Sequence, residues 1–259
     1  MSLFEASAVT KRFGGLTALS QIDFAVDTGI VSIIGPNGAG KTTLFNIFTG
    51  LYDADEGRVT FRGESLRGLR PDQITKLGVC RTFQNIRLFG NMTAIENVLV
   101  GMHARIPLGL WDVLSHRPGF HRAERDLWTR GASLLERVGL HPSANTVARS
   151  LPYGDQRRLE LARALASEPA LLLLDEPTAG MTQVEASQLM RLLRQLVADL
   201  GLAIILIEHN MRVVMEVSER VMVLDHGEKI AEGAPRAVQA DPRVIEAYLG
   251  RRSARAAGP

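Results

Sequence analysis

A glycine-rich stretch in the first quarter of the chain has the residue types and spacing of a phosphate-binding loop. The segment GPNGAGKTT matches G-x-x-x-x-G-K-[ST] and directly follows an apolar strand, Ile30–Ile34. Glycines let backbone N–H groups approach phosphate oxygens, and the helix predicted over Thr43–Thr49 adds the positive end of its dipole. Lys41 would neutralise the terminal phosphates, and the Thr42 hydroxyl would bind Mg²⁺. The predicted nucleotide-binding residues of this loop are Gly35, Pro36, Asn37, Gly38, Ala39, Gly40, Lys41, Thr42 and Thr43.

Two adjacent carboxylates end a second apolar strand, in the sequence LLLLDE. Side chains of neighbouring strand residues point to opposite faces, so we expect Asp175 and Glu176 to have different roles. Asp175 is predicted to reach the Mg²⁺ shell, and Glu176 to polarise the attacking water. Paired acids at a strand end can be ordinary surface residues, but the four leucines and the upstream phosphate loop favour a chemical role.

Four other features of the sequence are weak evidence for a function when each is taken alone. His209 follows the apolar strand AIILIEH, Gln84 lies in RTFQNIRLF, and Phe13 lies in TKRFGG. Each residue alone is more typical of a structural position. The fourth feature is the stretch LPYGDQ, where a proline, a glycine and an aspartate precede a helix rich in arginine and leucine. Such a helix end presents backbone N–H groups and a positive dipole, but it has no lysine or Mg²⁺ ligand of its own.

Composition narrows the class of protein. The chain has 259 residues, 46% of them apolar, which suits one large α/β domain or two small ones. A formal charge of +2 does not indicate a strongly basic nucleic-acid binder. One cysteine excludes a disulfide framework within the chain and favours a reducing compartment. We expect no secretion signal, and the apolar runs are far shorter than the ~20 residues of a membrane span.

The order of predicted elements indicates the fold. Apolar and polar residues alternate loosely over residues 8–26, as in short antiparallel strands. The pattern predicts another strand over residues 57–63 and mainly helices over residues 91–148. The last third alternates strands with a helix over Gln183–Leu200 and ends in a hairpin that turns at His226–Gly227. Near-continuous apolar strands separated by helices predict a buried, mainly parallel sheet. The leucines predicted to face inward from the long helix are Leu189, Leu192, Leu193 and Leu196.

Taken together, these residues resemble the ATP-binding-cassette (ABC) ATPase family, in the same order over nearly the whole chain. GPNGAGKTT resembles its Walker A motif, and LLLLDE its Walker B motif with the catalytic glutamate. LPYGDQ stands at the family's LSGGQ signature, and TAGMT at its D-loop. By this resemblance Gln84 is the Q-loop glutamine, Phe13 the adenine-stacking aromatic residue and His209 the switch histidine.

The resemblance implies a P-loop NTPase of the RecA-like α/β type with an antiparallel β subdomain. It implies one ABC ATPase domain over residues 1–250, with an inserted helical subdomain at about 90–165 and a disordered tail at 251–259. ATP and Mg²⁺ are the implied ligands. Thr42 and Gln84 would bind Mg²⁺ directly and Asp175 through water. Glu176, His209 and Gln84 would serve hydrolysis, whereas Tyr153, Gly154 and Asp155 would bind the ATP held by a second cassette.

The match is closer to one subfamily. The segments RTFQNIRLFGNMTAIENVLVG, YGDQRRLELARAL and AYLG are similar to the cassettes of high-affinity branched-chain amino-acid importers. This implies a peripheral subunit on the cytoplasmic face of the membrane, paired with an identical or different cassette and docked on two permease subunits. An extracytoplasmic solute-binding protein would deliver the solute, and nucleic acid is not an expected partner.

The chain departs from the family pattern at three positions. Pro152 replaces the signature serine, Asp155 stands at the glutamine position, and Thr182 replaces the usual D-loop aspartate. Proline is tolerated at a helix start, so Pro152 need not disturb the fold. We interpret the three residues as variants of a working enzyme, and we expect Gly154 to stay small so that the partner's phosphate can approach.

Other functions explain less of the sequence. ABC ATPases of chromosomes carry long heptad-bearing arms, and those of ribosomes carry two cassettes in one chain, neither of which occurs here. A small-molecule P-loop kinase would account for residues 35–42 but not for residues 153–165. A cassette that serves urea, amide or lipid transport is the nearest alternative.

Two segments could contact other molecules. Residues 104–128 contain the basic residues His116, Arg117, His121, Arg122 and Arg125 with Trp128, which could meet anionic lipid but are more typical of a solvated helix face. Residues 86–98 directly follow Gln84, and we predict that they contact the permease.

Overall fold

The computed structural model describes residues 2–82, 84–102 and 118–249. The predicted tail at 251–259 lies outside these residues, as does most of the basic segment at 104–128. Within the described ranges, every helix is too short or too polar to cross a membrane.

The first part of the chain forms a four-stranded sheet in the order β2-β1-β4-β5. Its strand pairs are antiparallel, as the alternating sequence predicts. The first strand begins at residue 4, ahead of the predicted start at residue 8. The strands are β1 (Phe4–Phe13), β2 (Leu16–Val26), β4 (Glu56–Phe61) and β5 (Glu64–Ser65).

A second sheet has six strands in the order β10-β9-β3-β8-β7-β6. All its pairs are parallel except that of the edge strand β10 with β9, so the predicted parallel sheet is confirmed. The hairpin turns at His226 (φ 45°) and Gly227 (φ 80°), the two positive φ angles of a type I′ turn. The strands are β3 (Gly29–Ile34), β6 (Val79–Arg81), β7 (Leu171–Asp175), β8 (Ala203–Ile207), β9 (Arg220–Asp225) and β10 (Glu228–Gly233).

Helices cover the larger sheet and extend beyond it. The phosphate loop leads into a helix that begins at Lys41, two residues before the predicted start. Among the described residues, three helices, α3 to α5, fall within the range of the predicted helical subdomain. The helices are α1 (Lys41–Phe48), α2 (Pro71–Leu77), α3 (Ala94–Met102), α4 (Pro118–Arg137), α5 (Tyr153–Leu165), α6 (Gln183–Leu200), α7 (Met211–Val217), α8 (Pro235–Gln239) and α9 (Pro242–Leu249).

Alternate residues of the parallel strands join different apolar cores on the two faces of the sheet. In β7, Leu171 and Leu173 join the core shared with α1 and the antiparallel sheet, and Leu172 and Leu174 join the core of the helical side. This two-residue alternation explains why the strand reads as continuously apolar. On α6, Leu189, Leu193 and Leu196 are buried as predicted, while Leu192 is half-buried against the same core.

Candidate active site

The phosphate loop is a tight turn between β3 and α1. Gly35 has φ 151° and Gly40 has φ 101°. A Cβ on Gly35 would lie 2.0 Å from the Leu224 carbonyl oxygen, and one on Gly40 would lie 2.7 Å from the Ala18 oxygen. Both positions therefore require glycine, because neighbouring backbone fills the space of a side chain.

Lys41, in the first turn of α1, is held by the loop itself. Its side chain is buried, and Nζ donates to the carbonyl oxygens of Gly35 at 2.7 Å and Pro36 at 2.9 Å. Burial lowers the pKa of Lys41, while the negative charges of Glu176 and Asp175 oppose that shift. An ammonium group that burial destabilises gains from a polyanion, so this position suits a phosphate chain.

An open cavity of about 700 Å³ lies in front of the loop. This volume is adequate for a nucleotide. Gly35 and Pro36 do not line the cavity, in the part of the chain described; their contribution is to accept hydrogen bonds from Lys41. The predicted residues that line it are Phe13, Asn37, Gly38, Ala39, Gly40, Lys41, Thr42, Thr43, Gln84, Asp175 and Glu176.

Asp175 is the last residue of β7 and is buried in an ion pair. Its Oδ2 accepts from Arg81 Nη2 at 2.8 Å, and Arg81 Nη1 donates to Asn46 Oδ1 at 2.7 Å. Asn46 lies on α1, so this chain of contacts fixes the carboxylate against the phosphate-loop helix. Nothing in the sequence distinguished Arg81 from the other arginines, because its partner lies 94 residues away.

Glu176 lines the same cavity as Asp175, but the strand alternation on which we based their different roles does not extend to Glu176. The strand ends at Asp175, and Glu176 leaves the pleat with φ 47°. Strand alternation no longer applies there. The backbone N–H of Glu176 donates to the Ile207 oxygen at 2.9 Å, which anchors the turn to β8.

Gln84 and His209 converge on one oxygen of Glu176. Gln84 Nε2 donates to Glu176 Oε2 at 3.2 Å, and His209 Nδ1 lies 3.5 Å from the same atom. His209 lies two residues beyond the end of β8, and its side chain is 61% exposed. The structure thus brings together the three residues predicted to serve hydrolysis.

Glu208 is a buried carboxylate that sequence reasoning missed. It is fully buried, and its Oε1 accepts from the Thr178 N–H at 3.0 Å and from Thr178 Oγ1 at 2.6 Å. Its Oε2 accepts from the His209 N–H at 3.2 Å. Glu208 therefore fixes the backbone of His209 relative to the segment that follows Glu176. A lone carboxylate at the end of the apolar run AIILI was the available signal.

Phe13 lies at the end of β1, at the mouth of the cavity. Its ring is 42% exposed and makes an edge-on contact with Tyr52, with ring centroids 5.4 Å apart. Lys11 Nζ lies 5.4 Å from the Phe13 centroid. A partly exposed aromatic ring at the mouth of the cavity suits stacking on an adenine base.

The predicted trans-acting residues begin α5, away from this cavity. Tyr153 is 43% exposed, and Gly154 is buried. Asp155 forms an ion pair with Arg158 within the helix. Pro152, at the N-cap position, has φ −53° and fits the helix start without strain.

The space for a side chain at Gly154 is limited by a residue of the same chain, Glu185. A Cβ there would lie 2.8 Å from Glu185 Oε1. The other oxygen, Oε2, accepts from the N–H and the hydroxyl of Thr182, both at 2.8 Å. Thr182 in turn accepts from the Glu185 N–H at 3.3 Å, completing a capping box at the start of α6. Thr182, which stands at the D-loop aspartate position, therefore caps the start of α6.

Comparison with known proteins identifies the family. The profile described as ABC transporter matches residues 19–179. The chain belongs to the ABC transporter family. A second profile, described as branched-chain amino acid ATP-binding cassette transporter, matches residues 228–254 of this cassette.

Relatives match the cassette over almost its whole length. It is 45% identical to the high-affinity branched-chain amino acid transport ATP-binding protein LivG of Salmonella typhimurium, covering 96% of this chain and 98% of that one. It is 43% identical to BraF of Pseudomonas aeruginosa, described in the same words, over the same shares.

Solved structures confirm the predicted P-loop NTPase fold. The ADP conformation of MJ1267, an ATP-binding cassette of an ABC transporter, has a TM-score of 0.84 at 30% identity, covering 97% of this chain and 100% of that one. A dimeric post-hydrolysis state of the cassette MJ0796, bound to ADP and phosphate, has a TM-score of 0.75 at 27% identity, covering 90% and 99%.

Proposed function

We propose that this cassette is the ATP-hydrolysing subunit of an importer for branched-chain amino acids. The observation that carries the proposal is the convergence of Gln84 and His209 on Glu176 at the cavity of the phosphate loop. The relatives LivG and BraF supply the substrate class, because a cassette binds no solute itself. The proposed class of transported solute also includes other hydrophobic amino acids.

Hydrolysis requires an activated water and neutralised phosphate charge. Glu176 is the candidate general base, since a carboxylate at the cavity edge can accept a proton from water. Gln84 and His209 would orient that carboxylate and the water, and His209 would donate to the terminal phosphate. Lys41 would exchange its two carbonyl acceptors for phosphate oxygens.

The residues present fit Mg²⁺ delivered with ATP. Thr42, Gln84 and Asp175 all line the cavity and offer the oxygen ligands that Mg²⁺ prefers. Among the described residues, His, Cys, Asp and Glu side chains form no cluster of three that could hold a metal alone. This suits an ion bound through few protein groups and completed by phosphate oxygens and water. When bound, Mg²⁺ neutralises charge that develops on the phosphates.

A second cassette, identical or different, would complete each site. The dimeric MJ0796 structure supports pairing, and the start of α5 supplies a helix end with N–H groups for a partner's phosphate. In this arrangement Tyr153, Gly154 and Asp155 would contact the partner's ATP, and the Asp155 side chain is already turned to Arg158.

Residues 86–98 are the proposed contact with two permease subunits at the cytoplasmic face of the membrane. Phe89 is 46% exposed beside a groove of about 310 Å³, with the Arg163 guanidinium 5.7 Å from its ring centroid. An exposed aromatic residue five positions after Gln84 can pass a change at the nucleotide to a partner. A cysteine at Phe89 should cross-link to the permease in membranes, whereas one at Tyr52 should not.

Reconstitution tests the substrate class. The cassette, its permease and its solute-binding protein would be assembled in vesicles, and ATP hydrolysis would be measured with leucine, isoleucine, urea and acetamide outside. We expect stimulation by the two amino acids only. Stimulation by urea or acetamide would assign the cassette to an amide importer. If neither the amino acids nor the amides stimulate hydrolysis and lipid is moved instead, the cassette belongs to a lipid transporter.

A further inference from the structure

Tyr153 is tied to the D-loop of its own chain. Its hydroxyl donates to the Ala179 carbonyl oxygen at 2.9 Å. Its ring packs on the same segment, because a Cβ on Gly180 would lie 3.3 Å from Tyr153 Cε1. The side chain nevertheless remains 43% exposed on the surface proposed to meet a second cassette.

Arg157, one turn further along α5, joins Tyr153 to the Q-loop. Its Nη2 donates to the Tyr153 hydroxyl at 3.0 Å and to the Gln84 carbonyl oxygen at 2.5 Å. The guanidinium is almost fully buried and lies 3.3 Å from the buried carboxylate of Glu160. Charge-assisted hydrogen bonds in such surroundings are strong and directional, so Arg157 fixes the Q-loop backbone against α5.

Two series of contacts therefore lead from Tyr153 to the hydrolytic centre. One runs through Arg157 to Gln84. The other runs through Ala179 to Thr178, whose N–H and hydroxyl bind Glu208, the residue that also accepts from the His209 N–H. Gln84 and His209 are the two residues that approach Glu176 Oε2.

We propose that Tyr153 is a positioning residue that couples the partner-facing start of α5 to hydrolysis in its own chain. A partner's nucleotide bound against residues 153–155 would set the Tyr153 hydroxyl, and through Arg157 and Ala179 it would set Gln84 and His209 around Glu176. The inference rests on the proposed ATPase function. It assigns the tyrosine hydroxyl a task inside its own chain, separate from any contact of the ring with the partner's ATP.

A double-mutant cycle on the assembled transporter tests the coupling. Turnover at saturating ATP would be compared for the unaltered protein, Tyr153→Phe, Arg157→Lys and the double variant. Phe keeps the ring, and Lys keeps the charge but cannot reach both acceptors. We expect each single variant to lower kcat about fivefold to tenfold, the effect of one or two lost hydrogen bonds, and the double variant to lower it by clearly less than the product of the two, because both substitutions remove the contact between Tyr153 and Arg157.

Arg194→Lys is the matched control, because Arg194 also joins two elements through a carbonyl and a carboxylate, those of Glu216, away from the cavity. Its kcat should stay within about twofold of the unaltered value. Fully multiplicative effects in the double variant would mean that the Tyr153 hydroxyl does not act through Arg157, and an unchanged kcat in Tyr153→Phe would mean that the hydroxyl has no part in hydrolysis. Either result overturns the proposal.

Hydrogen exchange separates this inference from the proposed function, since it requires no hydrolysis. Backbone amides of residues 84–88 should exchange about fivefold faster in Tyr153→Phe and Arg157→Lys than in the unaltered chain or Arg194→Lys. If the unaltered protein does not hydrolyse ATP but these amides exchange faster in Tyr153→Phe and Arg157→Lys, the proposed ATPase function is wrong and the link from Tyr153 to residues 84–88 is supported. If hydrolysis is normal and the amides do not change, the linkage is wrong.

Discussion

The catalytic centre depends on side chains whose roles are set by residues distant in sequence. Glu176 and Lys41 were predictable because each lies in a motif whose spacing carries a mechanism. Glu208, Arg81 and Arg157 were not, because a single arginine or glutamate gives no sign of its partner until the strands are paired. The sequence therefore predicts the groups that we propose act on ATP and misses the residues that hold them in place.

Lys41→Ala should weaken ATP binding about 100-fold or more, because at least two charge-assisted hydrogen bonds to phosphate are lost. A fluorescent ATP analogue titrated into the full-length chain measures this. Lys229→Ala is the control, since Lys229 Nζ also donates to a backbone carbonyl, that of Asp23 at 2.8 Å, but is not among the described residues that line the cavity. Equal affinity in the two variants would contradict the assigned role of Lys41.

Gly154 illustrates how the structure changes the reason for a prediction. The sequence suggested that a side chain here would block a partner's phosphate, but Glu185 of the same chain already occupies the space. A substitution that abolished pairing could therefore act within the monomer.

A stability cycle separates these explanations. Gly154→Ala should gain about 1 kcal/mol of helix propensity when Glu185 is also changed to Ala, and should gain nothing or destabilise when Glu185 is present. Urea unfolding of the full-length chain measures both backgrounds. The same gain in both would show that Glu185 does not restrict this position.

At the scale of elements, hydrophobic pattern predicted most of the fold. The four-leucine strand, the long helix α6 and the turn at His226–Gly227 all follow from local sequence. The edge strand β6 and the short helix α2 escaped prediction, because three and seven residues show no measurable periodicity. The position of β6 comes from its pairing with β7, and α2 packs against β6, so both depend on tertiary contacts.

The start of α6 shows how a departure from the family pattern can be stabilising. Thr182→Ala should lower the free energy of unfolding by about 1 kcal/mol, because it removes the N-cap hydroxyl. Thr182→Asp, which restores the family residue, should cap the helix as effectively as threonine does. Its free energy of unfolding should lie within about 0.5 kcal/mol of that of the unaltered chain. Thermal and urea unfolding measure both variants; a neutral Thr182→Ala would show that the capping box contributes nothing.

At the scale of the whole molecule, the cassette presents two chemically different surfaces. One is the cavity lined by Lys41, Glu176 and Phe13, which we propose as the nucleotide-binding site. The other is the start of α5, a helix end whose arginines Arg157 and Arg158 form ion pairs within the chain, with Glu160 and Asp155. This asymmetry explains why a pair of cassettes is the expected working unit.

The most direct test of the account compares the unaltered cassette with Glu176→Gln in the assembled transporter. The variant should bind ATP with affinity within about twofold and hydrolyse it at least ~100-fold more slowly, since general-base catalysis contributes about that much. Glu216→Gln, a change in a carboxylate that pairs with Arg194 away from the cavity, should hydrolyse ATP normally. Normal turnover by Glu176→Gln would contradict the central claim that Glu176 activates the attacking water.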